Sequence, residues 1–90
     1  MDLKEKVTEA LKQQLHPDHV QLDDDDGISG IVVASRFRGM SALDRQIAID
    51  EALHAATPKF SKPELRQVLA IAALTPIEFA GVQGRRSGGR

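Results

Sequence analysis

Two histidines bracket a proline and an aspartate in His16-Pro17-Asp18-His19, and four aspartates, Asp23 to Asp26, follow closely. Imidazole and carboxylate both ligate divalent metals, so this stretch is the first place to look for a site. The spacing argues against one. A calcium loop of the D-x-[DN]-x-[DN]-G form needs an acid where Leu22 stands, and no glutamate follows Gly27 at the distance that closes the shell. His16 and His19 straddle a proline at a chain corner, which does not aim their rings together. A solvated acidic turn is the favoured reading, and no metal ligand is assigned.

Residues 27 to 30, Gly-Ile-Ser-Gly, have the G-x-x-G form that clamps a nucleic-acid backbone in KH modules. Such a loop works between two helices, where amides and helix dipoles face phosphate. Here it joins two expected strands and follows four like charges, so it is set aside. Lys59, Lys62 and Arg66 surround a short expected helix and, with Arg36 and Arg38, could offer phosphates a basic face. Phe60 is the aromatic at hand for base stacking. No Ser-His-Asp or paired-carboxylate set can be assembled, because the serines at turns serve as helix caps and His54 has no partner on its helix flank. The chain is read as a non-enzyme.

Gln46 is the remaining polar oddity. Residues 42, 46, 49 and 53 stack on one face of a helix. A polar group among them must be hydrogen-bonded or stand at the wet end of the stripe. Gln46 is therefore either a structural glutamine with its amide satisfied or a polar group facing a partner at the core's edge.

The elements that must position these residues follow from periodicity and caps. Leu3, Val7, Ala10, Leu11 and Leu15 recur at helical spacing, with Asp2 and Glu5 as a capping box and Pro17 as the stop. His19 to Asp23 alternates as a half-buried strand, and Gly30 to Ser35 is a more buried one; an acidic turn joins them as a hairpin. Ser41 with Asp44 starts a second helix, whose stripe is Ala42, Ile49, Leu53 and Ala56 with Leu43 at its side, and Pro58 ends it. Ser61 with Glu64 starts a short third helix. Val68 to Ala73 is apolar on both faces, the pattern of a central strand or one covered on two sides. Thr75-Pro76-x-Glu78 starts a short last helix. The order α-β-β-α-α-β-α predicts an α+β domain, a three-stranded sheet with helices packed on one face, spanning residues 1–82. Residues 83–90 read as a disordered basic tail.

The totals bound the rest. Ninety residues make one small domain, and with three Phe and no Trp or Tyr its core must be aliphatic. The absence of cysteine removes disulfides, thiolate ligands and a cysteine nucleophile; it fits a reducing compartment, with the cytoplasm as the expected location. The charged N-terminal stretch lacks the apolar block of a secretory leader, and no membrane span is expected. Residues 1–35 carry three lysines against eight acids, and residues 36–90 nine basic residues against five acids. Broad attraction to nucleic acid is therefore expected to be weak, a local basic face on the second half stays open, and a scatter of solvated charges is the favoured reading.

The ordered set of short motifs resembles the BolA family. The residues that carry the likeness are Leu15, Pro17, His19 and Val20 at the first corner, then Phe37, Gly39, Ser41 and Arg45, and finally Thr75, Pro76 and Glu78. The likeness runs from about Leu3 to Phe79. It implies a KH-like α+β fold and a role in iron–sulfur cluster handling or iron regulation through a monothiol glutaredoxin. In such pairs a shared [2Fe-2S] cluster takes histidine from the BolA partner, and some members are described as DNA-binding regulators. Where the family writes histidine, after the arginine and before the third strand, this chain has Gln46 and Gln67. A carboxamide oxygen is a poor ligand for cluster iron, where thiolate or imidazole is the usual donor. The expectation is a divergent interaction module that binds no cofactor alone, with a partner face at Phe37, Gly39, Arg45, Gln46 and Gln67. The alternative is a nucleic-acid-binding transcriptional regulator using Lys59, Lys62 and Arg66.

Overall fold

The structure, a computed structural model, describes residues 2–88, with side chains through Val82. The first helix, α1 (Leu3–Leu15), starts where the sequence places it. The Asp2 carboxylate accepts from the Glu5 amide at 2.8 Å, and the Glu5 carboxylate accepts from the Asp2 amide at 3.3 Å. These bonds satisfy amides that have no partner within the helix. The helix buries Val7, Ala10, Leu11 and Leu15. It closes on His16, whose amide donates to the Lys12 carbonyl and whose left-handed backbone (φ 48°) turns the chain out of the helix, and Pro17 prevents continuation.

Strands β1 (His19–Asp23) and β2 (Ile28–Val33) form an antiparallel hairpin. Val20 and Leu22 pack toward the core, so His19, Gln21 and Asp23 face the reverse side. Gly30 sits opposite Leu22, and a β-carbon there would lie 2.1 Å from the Gln21 carbonyl oxygen. Only glycine lets the two strands approach so closely. A 3-10 turn, Ser35–Phe37, then leads to α2 (Ala42–His54) and the short α3 (Lys62–Arg66), both capped by serine as expected. Strand β3 (Val68–Leu74) returns parallel to β2, giving the sheet order β1-β2-β3. The pairing steps from Ile28↔Val68 to Ser29↔Ala70, which leaves Leu69 as an extra, bulged residue.

Helices α1 and α2 form the layer on one face of the sheet. Between them and the strands lie Val7, Leu11, Val32, Phe37, Ile49, Leu53 and Ile71. The last helix, α4 (Pro76–Gly88), brings Phe79 to the reverse side, its ring 5.3 Å from that of His19. The α+β architecture and element order are those expected. No helix among the described residues is long and apolar enough to cross a membrane.

Three details differ from expectation. Strand β3 is an edge strand covered on one face, because Ala70 and Ala72 are exposed and only Ile71 and Ala73 are buried. Alanine reads as apolar, yet its single methyl group costs little when left in water. The buried stripe of α2 is Ile49, Ala52 and Leu53, continued by Ala56 just past its end, while Ala42 and Leu43 are exposed, since the first turn lies outside the core. Finally, α4 continues as helix through Gly88, well past the short helix expected. Its start is well capped and no proline interrupts it. Of the expected disordered tail, residues 89 and 90 lie outside the described residues.

Candidate functional site

The loop before α2 is shaped from below. Phe37 is fully buried beneath it, and the Met40 amide donates to the Phe37 carbonyl at 3.0 Å. Gly39 takes φ +78°, a conformation that L side chains rarely adopt, and swings the chain toward Ser41. The Ser41 hydroxyl accepts from the Asp44 amide at 3.1 Å and starts α2. One turn later, Arg45 and Gln46 point across to β3 and α4.

Arg45 joins three elements with one guanidinium. Its Nε donates to the Met40 carbonyl and its Nη1 to the Ala73 carbonyl, each at 3.1 Å. Nη1 and Nη2 both reach the Glu78 carboxylate, at 2.7 and 3.3 Å. The arginine side chain is only 14% exposed. Glu78 also closes the cap of α4, because its carboxylate accepts from the Thr75 amide at 2.8 Å while its own amide donates to the Thr75 hydroxyl at 3.2 Å. The Arg45 hydrogen bond, with help from the Thr75 amide, pulls the Glu78 carboxyl down to about 2 from an ordinary value of 4.5.

Gln46 donates from Nε2 to the Ile71 carbonyl at 3.0 Å. The residue is exposed, so the amide is satisfied at the rim of the core and not inside it. Two adjoining grooves open to solvent here and share Arg45 and Glu78 as their common wall. One, of about 460 Å³, is lined by Ser35, Arg38, Gly39, Thr75, Pro76 and Ile77. The other, of about 510 Å³, runs between Gln46 and the β3 residues Ala72, Ala73 and Leu74. Large apolar side chains stand uncovered nearby on the same elements: Leu43 (70% exposed) and Ile47 on α2, and Ile77 (74% exposed) on α4. Leu43 and Ile47 are one helical turn apart and form a continuous ridge.

The structure therefore brings Gly39, Arg45 and Gln46 to one region. It corrects the place of Phe37, which is buried in the core and supports the loop from inside, out of a partner's reach. Gln67 is exposed at the C-cap of α3, and its carbonyl accepts from the Ile28 amide at 2.7 Å. At most about 13 Å of extended chain separates it from Ile71, so it flanks the same strand but lines neither groove. Glu78 and Ile77 are among the groove residues that the sequence did not assign to the site. The T-P-x-E phrase marked Glu78 as a cap, and nothing local showed that Arg45 would meet it.

Lys59, Lys62 and Arg66 are exposed around α3. Phe60 between them is half-buried, and the Lys6 ammonium stands 4.9 Å over its ring, where a base would stack. Lys6 also pairs with Glu64 at 2.9 Å; the Ser61 amide first, and Lys6 after it, hold that carboxyl below its ordinary value. Arg36, by contrast, donates to the Gln14 carbonyl at the far end of α1, about 12 Å along the helix from Lys6. The basic residues thus split between the two ends of α1 and do not form one face. Gly27 to Gly30 lie in the hairpin, as expected, with no helix on either side. No group of three or more metal-ligating side chains occurs among the described residues.

No family model matches the chain, and no curated relative matches it either. Solved structures do. A crystal structure of a bol-like protein from Babesia bovis is 28% identical and superposes with a TM-score of 0.65, covering 92% of this chain and 95% of that one. BolA1 from Arabidopsis thaliana is 20% identical with a TM-score of 0.66, covering 87% of this chain and 96% of that one. The BolA domain of SufE1 from Arabidopsis thaliana is 22% identical with a TM-score of 0.65, covering 87% and 96%. The structural neighbours are BolA-like proteins, and this chain has their α-β-β-α-α-β-α fold.

Proposed function

We propose, from this BolA-like fold, that the chain is a protein-interaction module of the BolA family and binds partners without catalysing a reaction. The observation that carries the reading is the pair of grooves around Arg45 and Glu78, with Ile77 exposed in the wall of one and Leu43 and Ile47 exposed on the same helix as Arg45. An exposed apolar group beside a fixed charged pair is the composition of a protein-binding surface. The partner proposed is a monothiol glutaredoxin, in a reducing compartment such as the cytoplasm.

The residues present do not fit a shared [2Fe-2S] cluster. At position 46 the side chain is a carboxamide whose nitrogen is held by the Ile71 carbonyl. At position 67 it is again a carboxamide. Neither offers a thiolate or imidazole donor. The proposed module therefore engages its partner through surface and shape and adds no ligand to the metal.

Mixing the chain with a cluster-loaded monothiol glutaredoxin tests both parts. The expected outcome is a complex by calorimetry and size exclusion, with the cluster's visible spectrum unchanged. No complex at any concentration removes this partner, and a spectral change typical of imidazole ligation overturns the ligand argument.

A second reading rests on the exposure of Lys59, Lys62 and Arg66: a nucleic-acid-binding regulator that places these cations on phosphates. The occupation of Phe60 by Lys6 and the separation of Arg36 from the trio count against it.

A further inference from the structure

Strand β3 reads Val-Leu-Ala-Ile-Ala-Ala-Leu, seven residues without a charge, a proline or a glycine. A segment of that kind at a sheet edge is a template for another strand. Here β2 takes one side of it and no strand takes the other. Successive residues of a strand turn their backbone groups alternately to its two sides. The Leu74 carbonyl accepts from the Ala34 amide on the β2 side, so the carbonyls of Ala73 and Ile71 face the open edge. Those are the two that α2 occupies: Arg45 donates to Ala73 and Gln46 to Ile71, at 3.1 and 3.0 Å.

We propose that Gln46 and Arg45 guard the open edge of β3 against pairing with a second copy of this chain. The excluded occupant is a second copy because the edge is self-complementary. In an antiparallel pair of β3 strands related by a two-fold axis, each strand meets the same sequence reversed. The exposed Ala70 and Ala72 set no charge beside the edge to deter a second strand. A guard must be a donor, since an edge carbonyl is closed only by an N–H or O–H, and the carboxamide of Gln46 supplies one without adding charge. Arg45 is also committed to Met40 and Glu78, whereas the Gln46 side chain donates to Ile71 alone among the described residues, so Gln46 is the guard that can be removed cleanly.

Gln46→Ala and Gln46→Met, measured in parallel, free the Ile71 carbonyl while keeping good helix formers in α2. In sedimentation over a concentration series the parent chain is expected to stay monomeric. The variants, with the parent's far-ultraviolet circular dichroism, are expected to reach an apparent mass at least double. Their Ile71 and Ala73 amides should exchange more slowly as concentration rises. Ala72→Lys, which sets a charge beside the edge, should return them to monomers. The proposal is overturned by a folded variant that stays monomeric, by a parent already paired through β3, or by association that survives Ala72→Lys.

Discussion

Arg45 holds a loop, a strand and a helix in register with one planar group. Lysine could not replace it there, because an ammonium cannot meet Met40, Ala73 and both Glu78 oxygens in a fixed plane. The pairing makes stability depend on pH with a definite sign. The Glu78 carboxyl in the folded chain lies near 2, below its ordinary 4.5, so its contribution is complete above pH 4.5 and is lost as pH falls toward about 2. Urea midpoints should therefore be level above pH 4.5 and decline below it. In Glu78→Gln the midpoint should start lower and decline less steeply, the residual slope coming from Glu64 among others. An unchanged slope in the variant would show that the pair does not stabilise the fold. The neighbouring Gln46 stood out in the sequence as polar on an apolar stripe. Its acceptor lies 25 positions further along the chain, so the anomaly was legible and its resolution was not. Phe37 shows the opposite failure: its motif was legible, but depth in the core belongs to no motif.

At the scale of elements, starts were easier to read than neighbours. A capping box is written within four residues, and those at Asp2, Ser61 and Thr75 form as their sequences suggest. The edge position of β3 depends on which strand pairs with which, and a run of alanines looks the same inside or out. Two glycines allow a direct comparison of close approach with backbone conformation. At Gly30 a β-carbon would meet the Gln21 carbonyl oxygen at 2.1 Å, while at Gly39 it would meet nothing within 4 Å. Gly39→Ala should cost about 1–2 kcal/mol, from the left-handed backbone alone. Gly30→Ala should cost more, because the hairpin must open to admit the methyl group. Thermal unfolding of both variants checks the order, and a smaller loss at Gly30 would show that β1 is free to move aside.

For the whole molecule, charge is divided more finely than a near-neutral total of −1 suggests. The cations around α3 and those beyond the far end of α1 are held apart by that helix, so any phosphate-binding surface is small. If Lys59, Lys62 and Arg66 all contact duplex phosphates, the logarithm of affinity should fall with the logarithm of salt at a slope of about −3. Removing one of them should make the slope shallower by about one, and no binding at low salt would end the nucleic-acid reading. The sheet order carries a different consequence. β1 and β2 are neighbours in the chain, but β3 joins β2 only after residues 34–67 have been laid down between them. During synthesis the hairpin is therefore made first, and its β2 flank stays bare until residues 68–74 have followed. Arg45 and Gln46 are likewise made before the strand they hold, so the nascent chain passes through a stage in which the β2 flank and these two side chains all lack their partner, β3.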